Sequence, residues 1–323
     1  MLTSRTLWAA AAALAVGSGT LLAQDAPQTF TYKQVDGLKI QADVYRAAGD
    51  EPQPVPVYIH GGALNNGSRT AVPRQLRQLC REHGYALVSL DYRLAPEAKL
   101  PEIIADIKDA FRWIRGPGSK AAGLNSDKLV VSGGSAGGYL TMMTGICVNP
   151  KPNALVAYWG YGDVDGTWYT EPSEHYRTVM PLLERAAVEK FVHQAALSGT
   201  DGLEPDVRQG RGLYYRYLRQ NGLWTKTVTG FDPRTERKQL DPYCPVRNIT
   251  ADYPPIMMIH GTVDTDVPYE LSANMAAELK RHGVEHELIT VPDAGHGLSG
   301  GDRRLVNQAH ERALAFIREQ LDK

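Results

Sequence analysis

Polar and apolar residues alternate through TFTYKQV (29–35) and again through LKIQADVY (38–45), on either side of Asp36-Gly37. Alternation at period two marks a half-buried strand, and Asp-Gly supplies the positive φ of a two-residue turn, so an antiparallel hairpin is predicted. From Pro56 onward the pattern changes. Short apolar runs, PVYI, ALVSL, KLVVS and ALVAY, are separated by helix-like segments over 70–83, 102–115 and 136–147. The rhythm returns with PIMMI, a helix over 269–282, EHELITV and a last helix over 302–321. Unbroken apolar runs alternating with helices predict an α/β fold, a mostly parallel, doubly wound sheet buried on both faces. Between Gly160 and Tyr253 the strand rhythm lapses over a stretch rich in Tyr and Trp. Structureless loops of that length are uncommon, so residues 160–253 are predicted to form an inserted, partly helical cap over the mouth of the sheet.

The N-terminus has a different grammar. Arg5 precedes LWAAAAALAVGSGTLLA, which is followed by polar QDAPQ. This reads as a secretory signal peptide over residues 1–23, cut after Ala23 and too short to span a membrane. The expectation is a secreted or periplasmic catalytic domain over 24–323, without a stable membrane anchor. Lys and Arg number 35 against 36 Asp and Glu, for a net charge of −1 with no long run of one sign, which argues against a nucleic-acid partner. Cys80, Cys147 and Cys244 are far apart, allow at most one bridge, and have no neighbour at metal-ligand spacing. His282 and His286 are separated by a helix-ending Gly283. No metal site is expected.

The chemistry concentrates around VVSGGSAGGYLT (130–141), where one serine stands among four glycines at the end of an apolar run. Gly133-Gly134-Ser135-Ala136-Gly137 fits the strand–turn–helix context in which a nucleophilic serine is lifted clear of a sheet, with the Ala136 N–H at a helix N-terminus. A dinucleotide fingerprint fails because Ser135 occupies its second glycine position, and a phosphate loop fails because Tyr139 follows Gly138. A hydroxyl needs a base, a group to orient the base, and donors for an oxyanion. His296, in VPDAGHGL, supplies the base. Asp264 is the first acid after PIMMI, with Asp266 and Asp163 as alternatives near strand ends. His60-Gly61-Gly62, directly after PVYI, offers main-chain N–H groups.

HGGA (60–63), DYRLAPE (91–97), GGSAGG (133–138), HGTVDTDVP (260–268) and DAGHG (293–297) together resemble the α/β-hydrolase superfamily. Within it the chain is similar to carboxylesterases related to hormone-sensitive lipase and to carbohydrate acyl esterases of the acetylxylan and feruloyl type. The resemblance implies Ser135 as nucleophile, His296 as base, Asp264 as its orienter, oxyanion donors at Gly61, Gly62 and Ala136, and no cofactor. DYRLAPE is expected to support the oxyanion loop, with His60, Tyr92 and Arg93 behind the site. Two departures stand out: Ala63 replaces the third glycine of the lipase-type loop, and the cap comes late in the chain. The expected activity is that of an exported serine carboxylesterase acting on short acyl esters, with acetyl groups on carbohydrates as substrate. That substrate follows from export and from aromatics interleaved with charge in RGLYYRYLRQNGLW (211–224), which suit sugar rings better than lipid. The alternatives are an aryl (feruloyl-type) esterase, a peptidase of the prolyl-oligopeptidase type, and an inactive hydrolase fold that only binds.

Overall fold

The structure is a computed structural model that describes residues 26–192 and 195–323, so the leader predicted over residues 1–23 lies outside the described residues. Strands β1 (Gln28–Val35) and β2 (Leu38–Tyr45) form the expected hairpin, closed by Asp36 and Gly37 at φ 48° and 85°. β3 (Gln53–Ile59) is followed by α1 (Arg74–His83) and β4 (Leu87–Leu90). α1 starts later than the apolar pattern predicts because Pro73 stands before its first turn, where a ring without an N–H is tolerated. α2 (Leu100–Arg115) starts earlier than predicted: Pro101 fits the first turn, and the Glu102 side chain accepts the Lys99 N–H at 2.8 Å. A short α3 (Pro117–Ala121), β5 (Leu124–Gly134), α4 (Ala136–Cys147) and β6 (Ala154–Tyr158) follow.

The segment after β6 carries α5 (Thr167–Thr170), α6 (Glu174–Thr178), α7 (Arg185–Glu189), α8 (Pro205–Asn221) and α9 (Trp224–Thr229), then two short 3-10 helices, Arg237–Tyr243 and Pro245–Arg247. β7 (Ile256–Gly261), α10 (Glu270–Arg281), β8 (His286–Val291) and α11 (Arg303–Leu321) complete the chain. The eight strands lie in the order β1-β2-β4-β3-β5-β6-β7-β8; β1 and β2 are antiparallel additions to a parallel sheet.

Strand residues alternate between two apolar layers. Leu129, Val131, Leu155 and Met258 pack with α2, α4 and α10, while Val130, Val156, Met257 and Ile259 pack with α1 and α11. This double burial explains why the strands read as apolar runs rather than as alternations. The segment carrying α5–α9 binds the loops that leave β3, β4 and β7. Arg211 on α8 donates to Asn65 O and Ala95 O, both at 2.7 Å, and pairs in bidentate fashion with buried Glu97. The Trp224 indole donates to Ala63 O. Carboxyl ends of parallel strands are where such sheets gather ligands, and these contacts make one wall there.

Candidate active site

The turn from β5 into α4 is so tight that Ser135 takes φ 57° and ψ −124°, a conformation L-residues rarely adopt. Its neighbours must be small for the same reason. A Cβ on Gly61 would stand 2.7 Å from Gly134 O, so only glycine lets the β3 loop close against the serine. The loop after β8 delivers His296 and the loop after β7 delivers Asp264. His296 Nε2 lies 3.1 Å from Ser135 Oγ, and His296 Nδ1 lies 2.8 Å from Asp264 Oδ2. An ionised carboxylate only accepts, so Nδ1 carries the hydrogen and Nε2 is left bare toward the hydroxyl.

Asp264 is anchored from several sides. Its Oδ1 accepts the N–H groups of Asp266 and Val267, both at 2.9 Å, and buried His260 approaches Oδ2 at 3.3 Å. Burial opposes its charge, but hydrogen bonds from His260, His296 and Val267 outweigh burial and hold the carboxyl well below the usual range. Burial likewise opposes an imidazolium at His296. The hydrogen bond to Asp264 and the charges of Asp266 and Asp264 reverse that, and raise His296 above its ordinary 6.5.

Gly61 closes against Ser135 with Gly62 next to it in the same loop and Ala136 directly after the serine, and among the described residues none of their N–H groups has a hydrogen-bond acceptor. The same is true of Ala63, which adopts φ 55° in place of glycine. His60 is buried behind this loop, stacked on Tyr92 with ring centroids 4.3 Å apart, and the Tyr92 hydroxyl donates to His60 O at 2.9 Å. Arg93, expected behind the site, is directed elsewhere: its guanidinium is drawn to the carboxylates of Asp106 and Glu102 on α2. Asp163 also stays away from His296, taking the Gly166 N–H and the Trp168 indole at 3.0 Å each. Tyr161, Tyr169 and Trp224 are fully buried and packed on one another, so they form core rather than a ring-stacking surface.

One cluster escaped the sequence reading. Asp266 Oδ1 accepts the hydroxyls of Tyr176 and Tyr215 at 3.0 and 2.6 Å and the Arg219 guanidinium at 2.7 Å, while its Oδ2 faces His296 Nε2 at 3.5 Å. Arg219 is itself wrapped by the rings of Trp168, Tyr169, Tyr176 and Tyr215. Its sequence signal was the four-residue spacing of Arg211, Tyr215 and Arg219, which aligns them on one face of α8.

Residues 42–196 match the BD-FAE family and residues 214–323 match the prolyl oligopeptidase family. Among curated proteins, the non-reducing polyketide synthase Preu6 of Preussia isomera is 27% identical over 87% of this chain, which spans only 14% of that protein. Esterase LipC of Mycobacterium tuberculosis is 26% identical over 83% of this chain and 62% of its own length. A solved Staphylococcus aureus protein of unknown function superposes with a TM-score of 0.72 at 21% identity, covering 91% of this chain and 99% of that one. Thermogutta terrifontis esterase 2 phosphoramylated by tabun gives 0.62 at 22% identity, covering 91% and 95%. A truncated carbohydrate esterase from gut microbiota gives 0.64 at 19% identity, covering 92% and 98%. With its strand order, its serine turn and these likenesses in agreement, the chain has the α/β-hydrolase fold and is similar to esterases that share it.

Proposed function

We propose that this protein is an exported serine carboxylesterase that hydrolyses short acyl esters, with acetylated carbohydrates as its substrate class. The carrying observation is the continuous path from Ser135 Oγ through His296 to Asp264, with hydrogen-bonding separations of 3.1 and 2.8 Å. His296 takes the Ser135 proton as Oγ attacks the ester carbonyl, and the N–H groups of Gly61, Gly62 and Ala136 receive the oxyanion. The imidazolium then protonates the leaving alcohol. A water deprotonated by His296 releases the acid and restores the serine. Likeness to LipC and to a carbohydrate esterase supports ester chemistry, and the polar lining contributed by Tyr176, Tyr215 and Asp266 supports a hydrophilic alcohol.

The test is kcat/KM on nitrophenyl acetate, butyrate, octanoate and palmitate, with acetate release from acetylated xylan and ferulate release from methyl ferulate. Acetate should be turned over fastest, and Ser135→Ala should remove activity by several orders of magnitude. A maximum at octanoate or beyond contradicts the short-acyl assignment. Ferulate release without acetate release transfers the assignment to aryl esters. The match of residues 214–323 to the prolyl oligopeptidase family favours a second reading as a peptidase, which requires turnover of aminoacyl anilides.

A further inference from the structure

The tight turn from Asp264 to Val267 puts two carboxylates on opposite edges of one imidazole. Asp264 holds Nδ1, while Asp266 Oδ2 stands 3.5 Å from Nε2, the nitrogen over which the proton passes between Ser135 and the leaving alcohol. The triad has no use for a charge on that edge. Asp266 is nevertheless built in firmly: three donors from α6 and α8 saturate Oδ1, and its side chain is only 18% exposed. Oδ2 alone remains, an acceptor directed at the space that the alcohol half of an ester must occupy. When the leaving oxygen comes within hydrogen-bond reach of Nε2, a hydroxyl on the neighbouring carbon falls beside Oδ2.

We propose that Asp266 determines specificity on the alcohol side: Oδ2 accepts a hydrogen bond from a free hydroxyl adjacent to the scissile ester, selecting partially acylated polyols and sugars. This rests on the esterase reading above. A carboxylate without protons cannot donate, so an alcohol lacking a hydroxyl leaves Oδ2 desolvated and unsatisfied, and an anionic alcohol is repelled. The segment carrying α6 and α8 sets this preference indirectly, because Tyr176, Tyr215 and Arg219 fix where Oδ2 points.

The experiment compares kcat/KM for 1-acetylglycerol and for its di-O-methyl ether, in the wild type and in Asp266→Asn, which keeps an oxygen for the two tyrosines and Arg219. The wild type should favour the free polyol by about tenfold or more, and the substitution should bring the ratio close to one. Equal loss on both substrates would mean that Asp266 merely supports the imidazolium, and overturns the proposal. A wild-type ratio near one overturns it without any variant, so the test survives a misfolded Asp266→Asn. Absence of wild-type turnover on these and on nitrophenyl acetate defeats the esterase reading itself, and the specificity assignment falls with it. Turnover of nitrophenyl acetate with a ratio near one defeats the specificity assignment alone.

Discussion

Two residues apart in sequence, Asp264 bonds one nitrogen of His296 and Asp266 faces the other, and their substitution should separate accordingly. Asp264→Asn presents an amide that no longer dictates which nitrogen carries the hydrogen, so turnover of nitrophenyl acetate should fall by about 10³–10⁴-fold. Asp266→Asn should cost far less on that substrate, and Asp163→Asn, whose Oδ1 accepts from Gly166 and Trp168, should cost least. The reverse order would reassign the acid. Both nearby carboxylates favour the imidazolium and raise His296 above 6.5, whereas catalysis needs the neutral ring. The rate must therefore climb through a pH above 6.5, and an ascending limb in kcat/KM centred below that value would contradict the assignment. The alignment of Ser135, His296 and Asp264 was legible because each of the three follows an apolar strand in a short motif. Asp266 was legible only as a rival for the same role. Its partners come from α6 and α8, and a contact between residues as distant as Arg219 and Asp266 leaves no local pattern.

At the scale of elements, strands and long helices were readable because burial on both faces writes them as apolar runs between amphipathic segments. Among the helices, local chemistry moved two starts, at Pro73 and at the Pro101-Glu102 start of α2, while β3 and β5 extend beyond the apolar runs that announce them. Residues 160–253 were harder, since helices as short as Thr167–Thr170 or Arg185–Glu189 complete too few turns to display a period. One tie between that region and the loops of the sheet is the buried pair of Arg211 and Glu97, the last residue of DYRLAPE. Glu97→Gln leaves a buried guanidinium without its counter-charge and should cost about 3 kcal/mol of stability, read as a fall in the urea midpoint. An unchanged midpoint would show that Arg211 is held by Asn65 O and Ala95 O alone.

Taken whole, the molecule brings loops from distant parts of the chain to one end of a parallel sheet whose two faces each carry an apolar layer. Helix and strand rhythm predicts that layering. The wall facing the serine depends on how α8 and α9 dock, which the rhythm does not specify. The same division leaves Ser135 at φ 57° at the turn between β5 and α4. Such a backbone costs about 1–3 kcal/mol, more than the roughly 0.5–1 kcal/mol that glycine loses in chain entropy. Ser135→Gly should accordingly unfold at a higher temperature than Ser135→Ala, read as the difference in melting temperature, with both expected to lose activity. If Ser135 is the nucleophile proposed above, heat tolerance and turnover pull in opposite directions at one codon: screening for thermal survival alone would favour its loss, and a demand for turnover would keep the serine in place.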